Sequence, residues 1–270
     1  MTALSVVVPC RDRAALLRGC LVSLRSAVRE EDEVIVVDAG SLTEEVRGVA
    51  EEAGVHYLRA ESHSASAARN AGWRAARHDR IGFVDDDCRP LPGWGAAMAE
   101  ALDELDAVCG QVRPDGDGHL SVLLDAEPSD YAADTPVAAL GHGANLAVRR
   151  AALVAVGGWE ELLGPGTDWP GAEDKELLVR LLRHGARAGY RPEAVVEHLQ
   201  WRSRRQALRA ELGYARGAGA LVARGLPAGG VRDELRTAVR DLRAGYQYGA
   251  VAGLVRAGGV AWGRASWRRR

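Results

Sequence analysis

The chain has 270 residues, of which 47% are hydrophobic and 27% charged, with a formal net charge of -2. This usage excludes a disordered or fibrous chain and is enough to bury a sizeable core, as one large domain or a domain with an appendage. Four cysteines, Cys10, Cys20, Cys88 and Cys109, form no C-x-x-C pair, which argues against a zinc knuckle or a disulfide framework and for a reducing, cytoplasmic setting. The opening MTALSVVVPCRDR has no basic leader followed by a long apolar run, so neither a secretory signal nor a start-transfer helix is expected. The charge is uneven: residues 199–270 carry 15 Arg against four acids, net +11, leaving residues 1–198 at -13.

In chain order, LSVVV (4–8) and EVIVV (33–37) are β-branched runs of the kind buried on both faces of a parallel sheet. Between them Leu16, Leu17, Cys20, Leu21 and Leu24 recur at helical spacing, which predicts a β-α-β start. A second helix is expected over 43–53, stopped by Gly54, then a short strand in VHYLRA, a helix from near Ser64 through Arg77, and a strand in IGFVD (81–85). Glu173 and Asp174 open a further helix that Gly185 closes, and AVVEH (194–198) reads as a strand. From 203 the pattern becomes helical and Arg-rich, with a break at Gly225-Leu226-Pro227, so a boundary is drawn near residue 202. The alternation predicts an α/β fold with a mostly parallel sheet flanked by helices and a C-terminal helical extension.

Ligands of such sheets sit beyond the carboxyl ends of the strands, where three polar stretches fall: Pro9-Cys10-Arg11-Asp12, Asp38-Ala39-Gly40-Ser41 and Asp85-Asp86-Asp87. Asp85 and Asp87 have the Asp-x-Asp spacing that can hold Mg²⁺ or Mn²⁺ with phosphate oxygens, or they belong to a solvated turn. Asp38 can accept hydrogen bonds from a base or ribose, or it starts an ordinary turn. Arg69 in ARNAG can pair with a phosphate or lie solvated on its helix. Glu173 and Asp174 either do chemistry or simply favour the helix dipole. His198 is a metal ligand or a core histidine. Trp159, Trp169 and Trp201 suit sugar stacking and core packing equally.

Taken together, VVVPCRDR, VVDAGS, ARNAG, FVDDD, GANLAVRR, GGWEE, the Glu173-Asp174 pair and His198, in that order over residues 4–200, resemble the family 2 glycosyltransferases of GT-A fold. The resemblance implies an inverting enzyme that moves a sugar from a nucleotide-diphosphate sugar, a UDP-sugar, to an acceptor hydroxyl, with a nucleotide-sugar half over about 1–110 and an acceptor half over about 111–202. It implies that Pro9, Cys10, Arg11 and Asp38 bind the nucleotide and that Arg69 lies near the diphosphate. Asp85 and Asp86 then address the ribose or donor sugar, and Asp87 and His198 hold a divalent metal, Mn²⁺ or Mg²⁺. Asn145, Trp159 and Glu173 shape the acceptor and donor-sugar site, and Asp174 is the general base. Two departures stand out: Ala39 replaces a second acid before Gly-Ser, and Arg11 takes a place often held by a small polar residue. The acceptor class stays open among carbohydrate, lipid-linked and small-molecule hydroxyls.

Two other functions compete. A nucleotidyltransferase of related plan would carry a Gly-rich basic loop after the first strand, which VVVPCRDR lacks; a non-catalytic sugar-nucleotide scaffold would have no reason to keep Asp87, Asp174 and His198 together. The Arg-rich extension is read as packing on the catalytic unit or a second copy of the chain, as contact with an anionic membrane surface, or as a dock for an acidic acceptor. Nucleic acid is not expected as a partner, because no recognised module accompanies the arginines.

Overall fold

The computed structural model describes residues 3–116, 122–226, 231–243 and 247–269. The first third alternates as β1 Leu4–Cys10, α1 Ala14–Ala27, β2 Glu33–Asp38, α2 Glu45–Ala53, β3 His56–Arg59, α3 Ala65–Ala75 and β4 Arg80–Val84. A tight turn leads to β5 Cys88–Pro90 and α4 Trp94–Glu104, followed by β6 Ala107–Asp115, β7 Ser129–Tyr131, β8 Asn145–Arg149, α5 Arg150–Val156, α6 Glu173–Arg183 and β9 Ala188–Leu199. The helices α7 Arg204–Ala223, α8 Val231–Arg243 and α9 Gln247–Arg268 complete the chain.

The sheet order is β3-β2-β1-β4-β8-β6-β9-β5, with β7 on β9. The β1–β2, β1–β4 and β2–β3 pairs are parallel, as the β-branched runs predict. Beyond β4 the expectation of a mostly parallel sheet needs adjusting: β4–β8, β6–β8, β5–β9 and β7–β9 are antiparallel and only β6–β9 is parallel. β1 has β2 on one side and β4 on the other, so chain order reverses about it; this is the switch point where a crevice opens beyond the strand ends.

Alternation along the strands explains the layers. Leu4, Val6 and Val8 point into one apolar cluster with Leu17 and Leu24 of α1, Val46 of α2 and Trp94 and Met98 of α4. Val7, Ile35 and Val37 point the other way, to Ala68 and Trp73 of α3, Leu177 and Leu181 of α6 and Leu221 of α7. Gly72 sets the depth of α3, since a Cβ there would stand 2.4 Å from Val7 Cγ1. Close approach of this helix brings Arg69 to the strand ends.

Helix ends follow local chemistry. Gly54 stops α2 in the left-handed region at φ 68°. Ser64 caps α3 by accepting from the Ala67 amide, and Ser203 and Gln206 form a reciprocal capping box at the start of α7. The predicted break after α7 starts at Gly225, also left-handed; Pro227 lies outside the described residues. No helix among the described residues is long and apolar enough to cross a membrane.

Candidate active site

The polar ends of β1, β2 and β4 converge on a cavity of about 250 Å³ lined by Pro9, Cys10, Arg11, Arg13, Ala39, His63, Arg69, Asp85, Asp87, His198, Arg202 and Tyr214. A second cavity of about 260 Å³ adjoins it, lined by His142, Gly143, Ala172, Glu173, Asp174 and Lys175. Arg69, Asp85, Pro165 and Tyr214 wall both, so the crevice has two lobes with a shared partition.

The loops around the first lobe are tied to one another. Asp12, a non-glycine residue at φ 54°, accepts from the Leu42 amide at 2.7 Å, and its own amide donates to Ser41 Oγ at 2.9 Å. Asp and Asn tolerate this left-handed region better than most residues. Asp38 is fully buried behind the lobe, where it accepts from the Ser41 amide, the Tyr57 hydroxyl and Arg59. Ala39, not Asp38, reaches the cavity.

The three consecutive acids have three different surroundings. Asp85 lies on the partition and accepts from Arg69 Nη2 at 2.7 Å. Asp86 is fully buried outside both lobes, with Arg13 Nη2 2.6 Å away and the Cys10 thiol beside it. Burial and its neighbouring acids raise Asp86 to about 7 against the pull of Arg13. Asp87 lines the first lobe, with Oδ1 3.6 Å from His198 Nε2 and Oδ2 accepting from Trp201 Nε1 at 3.0 Å and Arg13 Nη1 at 3.2 Å; Arg202 stands 3.7 Å off. Burial pushes Asp87 upward, but His198, Arg13, the Trp201 bond and Arg202 outweigh it and hold the group below the usual carboxylate range.

A divalent ion fits Asp87 and His198. Their donor atoms face each other too far apart for a hydrogen bond, and they combine carboxylate oxygen with imidazole nitrogen, a set suited to Mn²⁺. Gln200 lies 3.0 Å from His198 Nδ1, a second partner of the kind that orients a ligating ring. Cys88 completes a three-residue cluster, but burial keeps its thiol well above the ordinary value and therefore neutral, a poor ligand for a hard ion.

Arg69 is not the solvated helix residue that its sequence position also allowed. It is 3% exposed and spans the partition, donating to Asp85 on one side and to Glu173 Oε1 at 3.1 Å on the other, over the face of Trp159. Glu173 and Asp174 enter from the start of α6, set by the left-handed Ala172 at φ 64°. The two acids are driven apart. Burial and the neighbouring Asp174 raise Glu173 to about 7 despite Arg69. Burial also raises Asp174, but Lys175, His142 and the amides of Gly143 and Lys175 outweigh it and lower the group overall. An acid pair separated in this way provides one ionised carboxylate and one near its midpoint at neutral pH.

Some sequence-derived candidates stand back from the lobes. Asn145 is fully buried, donating to the Gln111 and Ala194 carbonyls and accepting from Trp94 Nε1. Trp159 packs edge-on against Phe83, and Trp169 against Trp267. Conversely, Arg13, His63, His142, Lys175, Arg202 and Tyr214 line the crevice without having been singled out. Arg13 had a signal, two residues beyond Arg11 in VVVPCRDR. Tyr214 had none, because it comes from α7.

Fold and site thus define an α/β protein with a charged two-lobed crevice at the switch point of its sheet. The description "Glycosyl transferase family 2" matches residues 5–153, more than half of the chain, and the chain belongs to that family. It is 30% identical over 211 residues to the pre-mycofactocin glycosyltransferase of Mycobacterium tuberculosis, covering 72% of this chain and 42% of that protein. It is 37% identical over 112 residues to the hyaluronan synthase of Pasteurella multocida, covering 38% and 11%. The chain therefore spans about two fifths or less of these curated relatives. Its fold matches the crystal structure of S. aureus TarS residues 1–349 (TM-score 0.62, 14% identity, 99% of this chain and 91% of that one) and the same protein in complex with UDP (TM-score 0.60, 15% identity, the same coverage). The architecture is the GT-A type.

Proposed function

We propose that the protein is an inverting glycosyltransferase that moves a sugar from a UDP-sugar to an acceptor hydroxyl, with the nucleotide and diphosphate in the first lobe and the acceptor in the second. The observation that carries this reading is the shared partition: Arg69 and Asp85 stand between a lobe with Asp87, His198, Arg13 and Arg202 and a lobe with the Asp174 carboxylate. A donor's anomeric carbon at the partition would face an acceptor oxygen arriving from the Asp174 side.

In this reading Asp174 takes the proton of the acceptor hydroxyl as that oxygen forms its bond to the anomeric carbon. The bond to the diphosphate breaks on the opposite face, so one displacement inverts the configuration. Because the surroundings lower its pKa, Asp174 is ionised and ready to accept at neutral pH. Arg13, Arg69 and Arg202 face the negative charge growing on the leaving diphosphate. Asp87 and His198 would hold Mn²⁺ or Mg²⁺, and such an ion would supply further charge neutralisation there. Pro9, Cys10, Arg11, Ala39 and His63 surround the space for base and ribose. The relatives are named for different molecules, pre-mycofactocin and hyaluronan, so family membership supports the reaction class and leaves the acceptor to be found among carbohydrate, lipid-linked and small-molecule hydroxyls.

The catalytic unit in this reading includes α7, since Tyr214 walls both lobes. Beyond it α9 packs on the catalytic unit, where Trp169 donates to Ser266 Oγ and meets Trp267 edge-on. The proposal adds that the outer face of α8 and α9 meets an anionic membrane surface, a reading supported by Leu235, Val239, Val251, Leu254 and Trp262 standing exposed among arginines such as Arg232, Arg243, Arg264 and Arg268. The test of function is UDP release from a panel of UDP-sugars with Mn²⁺. Slow hydrolysis that Asp174→Asn reduces is expected; absence of UDP formation and of UDP binding would remove the proposal.

A further inference from the structure

Of the 35 Lys and Arg residues in the chain, one is lysine, Lys175. It follows the proposed base directly and lines the second lobe. Its Nζ donates to the carbonyls of Leu140 and Gly141, the second at 2.8 Å. Two residues on, the Gly143 amide donates to Asp174 Oδ2 at 3.0 Å, and the Lys175 amide donates to Asp174 Oδ1 at 2.7 Å. The contacts close a ring: the ammonium holds one end of the 140–143 segment, the Asp174 carboxylate holds the other, and the two side chains are neighbours on α6.

The segment is closely packed at its two glycines. A Cβ on Gly141 would meet Cys109 Cβ at 2.2 Å, and one on Gly143 would meet Asp174 Cβ at 3.1 Å and Trp159 at 3.3 Å. We infer that Lys175 is a positioning residue for the reaction, fixing the 140–143 segment and through it the place and charge of the Asp174 carboxylate. The inference rests on the reading of Asp174 as base. An ammonium suits this task because its donors radiate from one compact centre onto two adjacent carbonyls, whereas a guanidinium presents a wide planar fork. Arginine fills the chain's other Lys/Arg positions, so Lys175 is its one ammonium side chain.

The charge acts alongside the geometry. Lys175 is foremost among the groups that lower Asp174 against burial, and after burial it is the main influence holding neighbouring His142 down at about 4. The groups around the carboxylate are Glu173 and Lys175 on α6, His142 from the segment before β8, Arg69 from α3, Asp85 at the end of β4 and Tyr214 from α7. Arg69 donates to Asp85 and Glu173, and Lys175 stands ahead of His142 among the influences that lower Asp174.

The experiment compares pH profiles of kcat/KM for wild type, Lys175→Met and Lys175→Arg, with UDP affinity as a control and Asp174→Asn as reference. Removing the cation should move the acid limb of Lys175→Met up by about one pH unit and lower kcat/KM tenfold or more at pH 7, with UDP affinity within twofold. Lys175→Arg should return the limb to its wild-type place without restoring the rate. An unmoved acid limb in Lys175→Met, or full rate in Lys175→Arg, overturns the inference. If Asp174→Asn itself turns over normally, the base assignment has failed instead. Should Lys175→Met not fold, lysine labelled with ¹⁵N gives a single Nζ signal in the wild-type protein. Ammonium protons that exchange slowly with water support the carbonyl contacts, and exchange as fast as in a solvated lysine overturns them.

Discussion

Asp87 and His198 are 111 positions apart in the chain, yet Asp87 Oδ1 and His198 Nε2 face each other at 3.6 Å. Strand pairing does this: Cys88 of β5 lies opposite His198 of β9 in antiparallel register, and the Leu199 amide donates to the Asp87 carbonyl at 2.9 Å. Backbone hydrogen bonds therefore fix the spacing of the two side chains.

The first prediction concerns this pair. Asp87→Asn keeps the shape and an acceptor for Trp201 but removes the charge that a hard cation needs. Calorimetric titration of wild type with UDP should show binding at least tenfold tighter in Mn²⁺ than in EDTA. The variant should show a difference below twofold, and an unchanged Mn²⁺ effect would remove Asp87 from the ion site.

The second prediction separates the lobes. Asp174→Asn should lower kcat/KM by ~10³, within the range usual for loss of a general base. UDP affinity should stay within twofold, because Asp174 lines only the second lobe. A parallel loss of UDP binding would show that the lobes are not independent.

The parallel start was legible because β-branched runs and leucine spacing are local signals, and Ser64 and Gly54 mark their helix ends locally too. The three acids were visible as a cluster, but their separate roles were not. Asp86 is buried against Arg13 outside the lobes while Asp87 faces His198, a division set where the chain turns from β4 inside the sheet to β5, which pairs with β9 at its edge. Family resemblance points to Asn145 as a sugar contact; its amide bridges the Gln111 and Ala194 carbonyls, beside the β6–β9 register shift at Gly110/Gln111. Tyr214 and Lys175 depended on long-range packing, which no window of sequence reports.

The third prediction is one of stability. Asp86 titrates near 7 in the folded protein and near the ordinary carboxylate value when unfolded, so the folded state binds the proton more tightly. Its contribution is fully present below about pH 4 and is lost as pH rises through 7. Chemical denaturation at pH 5 and pH 7 should therefore show wild type losing on the order of 2 kcal/mol relative to Asp86→Asn across that interval. Equal pH dependence of the two proteins would mean that Asp86 titrates normally.

The fourth prediction concerns α8 and α9. Exposed apolar side chains among arginines favour a surface carrying negative charge, and the attraction weakens as salt screens it. The protein should float with vesicles containing phosphatidylserine at low salt and sink with neutral vesicles. Replacing Leu254 and Trp262 with Ser should reduce flotation severalfold without changing UDP affinity, whereas flotation insensitive to lipid charge would count against the surface.

The fifth prediction tests whether α7 belongs to the catalytic unit. Tyr214 stands on the partition between the lobes, and the backbone of Gly171 packs so tightly on it that a Cβ at Gly171 would lie 2.7 Å from Tyr214 Cα. Gly171 leads directly into Ala172 and the Glu173-Asp174 pair, so the ring supports the strained turn that presents both acids. Tyr214→Ala should lower stability by about 2–3 kcal/mol through the cavity it leaves. It should also raise the KM for both donor and acceptor, since the side chain walls both lobes. Tyr214→Phe keeps the ring and should retain both KM values within threefold, because the proposed role is steric. If Tyr214→Ala loses stability while both KM values stay at the wild-type level, α7 is a structural brace and the catalytic unit ends before it.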